Sequence, residues 1–261
     1  MNMRSSTGRQ EKANNADRSR NGLSTTARPA LRVQKRWQPR ARRVDTAIAP
    51  RAAAPLSHTE LETALRQEAL QAAQRGDHQE AIALFTMILE QNPSSARDYN
   101  NRGLVYFQSG DMERAIADYN QALALDSTLD SVYNNRANYY ATQGKFLEAI
   151  LDYDAALNLN PTNVRAWLNQ GITLRELEMH DRALECFDFA LRLGRLEAHI
   201  YAERGRTHHL WGDWNAALAD YQRAIERLLL PNTATPGGAA RLRLQIEVWK
   251  DELLAPLESE P

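Results

Sequence analysis

Residues 96–129 read ARDYNNRGLVYFQSGDMERAIADYNQALALDSTL, and residues 130–163 read DSVYNNRANYYATQGKFLEAILDYDAALNLNPTN. Aligned without a gap, the two stretches share Tyr at the fourth position, Asn-Asn-Arg at the fifth to seventh and Ala at the twentieth. Similarity at a fixed period of this length is typical of repeat proteins, in which each unit packs only on its neighbours. We therefore expect a solenoid.

The same register extends over five blocks of 34 residues, which are 62–95, 96–129, 130–163, 164–197 and 198–231. Position 8 is always small, position 20 is always Ala, and position 24 is always aromatic. The residues at position 24 are Phe85, Tyr119, Tyr153, Phe187 and Tyr221. Small residues that face rings at fixed positions let two helices approach closely. Each block is thus predicted to be a pair of antiparallel helices.

The pattern resembles the tetratricopeptide repeat. Its W-x2-L-G-x2-Y and A-x3-F signatures are matched by Trp167 with Gly171 and by Ala183 with Phe187, and Pro93 and Pro161 lie near the ends of two blocks. The resemblance implies an all-α fold, a right-handed helix-turn-helix repeat solenoid with a C-terminal capping helix. It also implies a concave groove lined by the first helices, which binds protein segments.

The ends of the solenoid are indicated by local signals. Ser57 and Glu60 have the spacing of a capping box, so the solenoid is predicted over 58–230. Residues 231–238 are rich in Pro, Gly and Thr and are predicted to be a linker. The helical spacing of the apolar residues in 239–255 then indicates a capping helix, because a solenoid must cover its last apolar face.

Residues 1–57 differ from the rest in charge. They contain thirteen Lys or Arg against three acids, a net charge of +10, so the remainder carries −11 in a chain whose total is −1. With no apolar periodicity, this segment is predicted to be disordered. It could supply affinity for nucleic acid, or residues 1–50 could be a transit peptide for an organelle lumen or stroma. Otherwise we expect a cytoplasmic protein without a membrane span.

Position 7 and position 23 vary together. Position 7 is Arg102, Arg136 and Arg204 in the second, third and fifth blocks, where position 23 is Asp. Both positions lie eight residues from the turn of the hairpin, so we expect an Arg-Asp pair joining its two helices. The fourth block has Gln170 and Cys186 instead, and it also has Glu178 where the others have a turn glycine. Its turn is expected to be strained.

No catalytic constellation is evident in the sequence. The six histidines match no metal-binding spacing, the glycines form no phosphate-binding loop, and Cys186 is best interpreted as a small buried side chain. We predict a protein that is not an enzyme and that needs no cofactor or metal.

The groove is the remaining candidate site. Positions 2, 5, 9, 12 and 13 of the first helices carry Arg66 and four other arginines against the single acid Glu176, which favours an acidic partner. Asparagines at positions 5, 6 and 9 can bond the backbone of an extended peptide. The predicted groove residues are Arg97, Asn100, Asn101, Asn134, Asn135, Asn138, Arg165, Asn169, Arg175 and Arg206. The partner is expected to be a protein with an acidic or extended segment.

Overall fold

The computed structural model describes residues 57–230 and 236–258, which form helices joined by short turns and contain no strand. The helices are α1 His58–Arg75, α2 His78–Gln91, α3 Ala96–Ser109, α4 Met112–Leu125, α5 Asp130–Thr142, α6 Phe146–Leu159, α7 Val164–Glu176, α8 His180–Arg192, α9 Glu197–Trp211, α10 Trp214–Leu228 and α11 Pro236–Glu258. The predicted all-α helix-turn-helix solenoid is confirmed. The predicted disordered segment lies outside the described residues, apart from Ser57.

The small and aromatic positions of the sequence pattern form the core. All five alanines at position 20 are fully buried, and the rings at position 24 lie beside them. The closest approach is in the hairpin α7–α8, where a Cβ atom on Gly171 would lie 2.6 Å from Cε1 of Phe187. Because real Cβ atoms do not approach a ring so closely, the packing explains why this position is glycine.

The turns within the hairpins follow the glycine pattern. Gly144 ends the first helix of its hairpin with a φ of 71°, in the left-handed region. Glu178 has the equivalent place between α7 and α8 and also takes a left-handed φ, of 60°. Side chains with a Cβ atom are strained in this region by about 1–2 kcal/mol. The predicted strain in this turn therefore has a direct structural cause.

The predicted Arg-Asp pairs are confirmed in three hairpins. Arg136 donates from Nε and Nη2 to the two carboxylate oxygens of Asp152, at 2.7 and 2.9 Å. Arg102 with Asp118 and Arg204 with Asp220 have the same bidentate geometry. The third nitrogen of Arg136 also donates to Asn120 of the preceding hairpin, at 2.9 Å. Each pair thus joins the two helices of one hairpin and also connects neighbouring hairpins.

Helix α11 packs against α9 and α10. Leu242, Ile246 and Leu253 are buried in that contact, and Trp249 is partly buried beside them. The helix begins at Pro236, three residues before the predicted start, so the prediction of a linker extending to residue 238 is wrong. Proline suits the first turn of a helix because the missing N–H would have no intrahelical partner there. Residues 231–235 lie outside the described part of the chain.

Candidate peptide-binding groove

The first helices of successive hairpins lie side by side. Helix α3 contacts α5, α5 contacts α7, and α7 contacts α9. Between α3, α5 and α7 lies an open pocket of about 370 Å³. Its lining residues are Phe107, Asn138, Ala141, Thr142, Tyr153, Asn169, Ile172 and Thr173. The surface therefore combines apolar side chains with hydrogen-bonding groups, as peptide-binding sites commonly do.

Two of the predicted asparagines meet in this pocket. Asn169 donates from Nδ2 to Oδ1 of Asn138 at 2.9 Å, and the hydroxyl of Tyr153 donates to the same oxygen at 2.6 Å. Burial raises the pKa of Tyr153, so its hydroxyl stays protonated and can keep donating. Among the described residues, Nδ2 of Asn138 and Oδ1 of Asn169 have no partner, and both atoms are accessible. One donor and one acceptor are thus available at the pocket surface.

The other asparagines form a second contact between hairpins. Asn135 donates from Nδ2 to Oδ1 of Asn100 at 3.0 Å, and Nδ2 of Asn134 lies 3.4 Å from Oδ1 of Asn135. Asn100 and Asn134 are buried. Asn101 is half-buried and has no hydrogen-bond partner within the described ranges. Several members of the asparagine row therefore bond one another across the repeats.

Two of the predicted groove arginines are neutralised by acids. Arg175 donates from Nη1 to Oε2 of Glu203 at 2.7 Å, and its side chain is only 9% exposed. Arg206 donates to Glu252 of α11 at 2.6 Å and lies over the ring of Trp249. Glu203 occupies position 6 of its repeat, so this pairing with the preceding repeat could have been sought in the sequence. No sequence signal related Glu252 to Arg206.

Of the other three arginines at the groove positions, one is paired with acids and two are not. Arg66 is held by Asp98 at 2.7 Å and by Glu62 at 2.6 Å. Arg97 and Arg165 are exposed and have no ion-pair partner among residues 57–230 and 236–258. Both lie at position 2, near the N-terminal ends of α3 and α7. Among the five arginines predicted for the groove, the unpaired positive charge therefore lies at these two helix ends.

The described residues show neither a metal-binding cluster nor an activated cysteine. No group of three His, Cys, Asp or Glu side chains in them could hold a metal ion. Burial raises the pKa of the Cys186 thiol to about 12, which disfavours the reactive thiolate. Within the same ranges, no helix is long and apolar enough to cross a membrane.

Comparisons with known families match the repeats. A family model described as "TPR repeat" matches residues 103–144, and models described as "Tetratricopeptide repeat" match 63–95, 131–163 and 152–185. No curated protein matches the chain in sequence.

Solved structures with the same fold were also found. PilW, described as a widely conserved type IV pilus biogenesis factor, is 19% identical with a TM-score of 0.62, covering 77% of this chain and 96% of its own. PilF of Pseudomonas aeruginosa is 24% identical with a TM-score of 0.59, covering 75% and 92%. MamA is 20% identical with a TM-score of 0.54, covering 64% and 92%. At these identities, the likeness is one of fold alone.

Proposed function

Because this chain is a tetratricopeptide-repeat protein, we propose that it is a non-catalytic scaffold that binds an extended segment of a partner protein in the groove of α3, α5 and α7. The observation that carries the proposal is the pair Asn138 and Asn169. Their free Nδ2 and Oδ1 atoms offer one donor and one acceptor, which match the carbonyl and amide of a peptide backbone. The shared Asn138 oxygen keeps both side chains in place for such contacts.

Apolar side chains beside Asn138 and Asn169 favour a partner segment that also carries an apolar residue. Phe107, Ala141 and Ile172 line the same pocket, so an apolar side chain of the bound segment would be removed from water there. Backbone bonds hold the segment irrespective of its sequence, whereas the apolar contact selects its residue type. We therefore expect an extended segment with at least one large apolar residue.

The charge preference follows from the unpaired arginines. Arg97 and Arg165 are exposed, and the ion pairs of Arg66, Arg175 and Arg206 cancel much of their attraction for a ligand. The proposed partner segment is therefore acidic near the N-terminal ends of α3 and α7, where Arg97 and Arg165 can attract its carboxylates. Such exposed charges act mainly on the rate of association and are screened by salt.

The test uses labelled, unstructured peptides that contain one Leu and either Asp or Lys residues, with binding to the full chain followed by fluorescence anisotropy. The Asp peptide should bind more tightly. Asn138→Ala should weaken it at every salt concentration, because each lost hydrogen bond contributes about 0.5–1.5 kcal/mol. Replacing Arg97 and Arg165 by Gln should weaken it mainly at low salt.

Matched controls separate binding from stability. Arg192→Gln removes an exposed arginine of α8, on a second helix, and should leave the affinity unchanged. If the two peptides bind equally and the Asn138 variant keeps full affinity while losing folding stability, the amide pair serves only to join the repeats. That result would contradict the proposed groove.

The sequence supports a second candidate function. The net charge of +10 in residues 1–57 favours binding to nucleic acid through the N-terminal segment. A chain lacking residues 1–56 should then lose nucleic-acid binding and keep peptide binding. Binding that is unchanged by the deletion, or that does not weaken with salt, would exclude this function.

A further inference from the structure

Helix α6 presents leucines to solvent on the side opposite its packed face. Leu147 and Leu151 are 69% and 70% exposed, and Leu159 is 44% exposed. With the half-buried Ala155, these residues recur every four positions and form one stripe, which we call the α6 stripe. The other side of α6 is occupied, since Ile150, Tyr153 and Leu157 are buried against the neighbouring helices.

The repeat architecture does not require these leucines. At the position of Leu147, the second helices of the other repeats have Gln79, Glu113, Asp181 and Asn215. At the position of Leu151, they have Ala83, Ala117, Glu185 and Ala219. Four helices thus build the same hairpin without a large apolar residue at either place. Adjacent exposed apolar side chains that the fold does not need are typical of an interaction surface.

The charges around the stripe restrict the partner. Helix α6 contains three acids and no Lys or Arg. Arg136 neutralises Asp152, but Glu148 and Asp154 are exposed beside the stripe. In the next repeat, Asp181 and Glu185 occupy the positions of the two leucines and are exposed as well. Two exposed acids therefore flank the leucines on α6, with Lys145 at its N-cap, and on α8 the two acids have Arg182 between them.

We propose that the α6 stripe is a second docking surface, which binds a basic amphipathic helix of a partner protein. Apolar side chains spaced by three and four residues on that helix pack on Leu147 and Leu151, as in other complexes of an amphipathic helix with an apolar surface. Its flanking Lys or Arg residues face Glu148 and Asp154. The surface lies on a second helix, so its occupant and a segment in the groove of the first helices bind independently.

The test measures binding of a labelled amphipathic peptide with Leu on one face and Lys on its flanks. A second peptide carries Glu in place of Lys, and a third keeps the composition of the first with its Leu residues scrambled. Full-length protein is compared with the double variant Leu147→Gln and Leu151→Ala, which introduces the residues of the first repeat. Loss of two leucine contacts should weaken the Lys peptide roughly tenfold or more.

Further variants define the surface. Glu148→Lys should weaken the Lys peptide and reduce the dependence of its binding on salt. Leu244→Gln is the matched control, because Leu244 is 64% exposed on α11 and should not contribute. The single variant Leu147→Asn, with the residue of the fifth repeat, should give a smaller loss in the same direction.

Four outcomes would overturn the proposal, and the last of them concerns the Asn138 variant. The first is equal affinity of the wild-type chain and the Leu147/Leu151 variant for the Lys peptide. The second is equal affinity for the ordered and scrambled Lys peptides, which would mean that charge alone acts. The third is a dimer in sedimentation that depends on the two leucines and excludes the peptide, since the occupant would then be a second copy. If Asn138→Ala weakens the amphipathic peptide, that peptide binds the groove, and the α6 stripe is not its site.

Discussion

The hairpins α5–α6 and α7–α8 have the same packing but different polar contacts. Both place an aromatic ring against a small residue, with Tyr153 near Ala137 and Phe187 against Gly171. In α5–α6, Arg136 and Asp152 form two hydrogen bonds across the hairpin. In α7–α8, the equivalent contact is between Cys186 and Gln170 at 3.5 Å. Packing is therefore sufficient to form a hairpin, and the ion pair is an addition to it.

The connections of these hairpins differ as well. After α6, Asn160 accepts bonds from the backbone and hydroxyl of Thr162, which fixes the connection to α7. After α8, Gly194 stands in place of the asparagine, and Leu196 takes a left-handed φ of 57°. Gln170 compensates in part, because it donates to Asp154 of the preceding hairpin at 2.6 Å. The fourth repeat thus keeps a link to the third while losing internal bonds.

The largest expected difference between the two hairpins comes from removing the acid of the ion pair. Asp152→Ala leaves the mostly buried Arg136 without its bidentate partner, and it should destabilise the protein by about 2–4 kcal/mol. Cys186→Ala, at the same position of the fourth repeat, should cost only about 1 kcal/mol. Urea unfolding of both variants gives the comparison. Equal losses, or no coupling energy between Asp152 and Arg136 in a double-mutant cycle, would contradict it.

The second difference concerns the small position. Gly171→Ala should destabilise by about 1–3 kcal/mol, because the new Cβ atom would overlap the ring of Phe187. The third repeat has alanine at this position, so Ala137→Gly should lose only about 0.5–1 kcal/mol through backbone entropy. Thermal unfolding of both variants measures the two effects. A Gly171→Ala variant as stable as wild type would show that the helices separate easily.

Hydrogen exchange should detect the weaker hairpin directly. Because repeat stability is approximately a sum of unit and neighbour terms, residues 164–197 should open first, with a free energy of opening about 1 kcal/mol below that of residues 130–163. Exchange of the full chain, followed residue by residue, tests this expectation. Uniform protection of the two segments would mean that the missing ion pair and turn glycine have no net effect.

The smallest expected effect is a gain in stability. Glu178→Gly removes the strain of a left-handed residue and should stabilise the chain by about 0.5 kcal/mol after the entropy of glycine is subtracted. Its counterpart is Gly144→Ala, which should destabilise the chain by about 1 kcal/mol because alanine is strained at this left-handed φ angle. A Cβ atom at this position would meet no other atom within 4 Å, so the variant tests the φ angle alone. A loss of stability in Glu178→Gly would indicate that the glutamate makes a favourable contact.

The candidate groove was only partly predictable from sequence. The repeat period places position 6 and position 9 on first helices, so a row of asparagines near the groove could be deduced. Whether an amide is free or already bonded could not be deduced, because it depends on side chains one repeat away. Asn169 and Asn138 are 31 residues apart in the chain and 2.9 Å apart in space. Their binding role stays a prediction.

The sequence by itself determined the hairpins, their core positions, the strained turn and the three Arg-Asp pairs. All of these depend on spacing within one repeat. In an antiparallel pair of helices, the number of residues from the turn determines which side chains lie opposite each other. Only the tertiary structure decided which arginines remain free, since Arg206 meets Glu252 of α11, a helix outside the repeat period, and Arg175 meets Glu203 one repeat away. The tertiary structure also showed that Leu147 and Leu151 are exposed to solvent. The sequence would suggest the opposite, because an apolar pair on a helix is ordinarily buried, and only the packing of the neighbouring helices leaves this face uncovered.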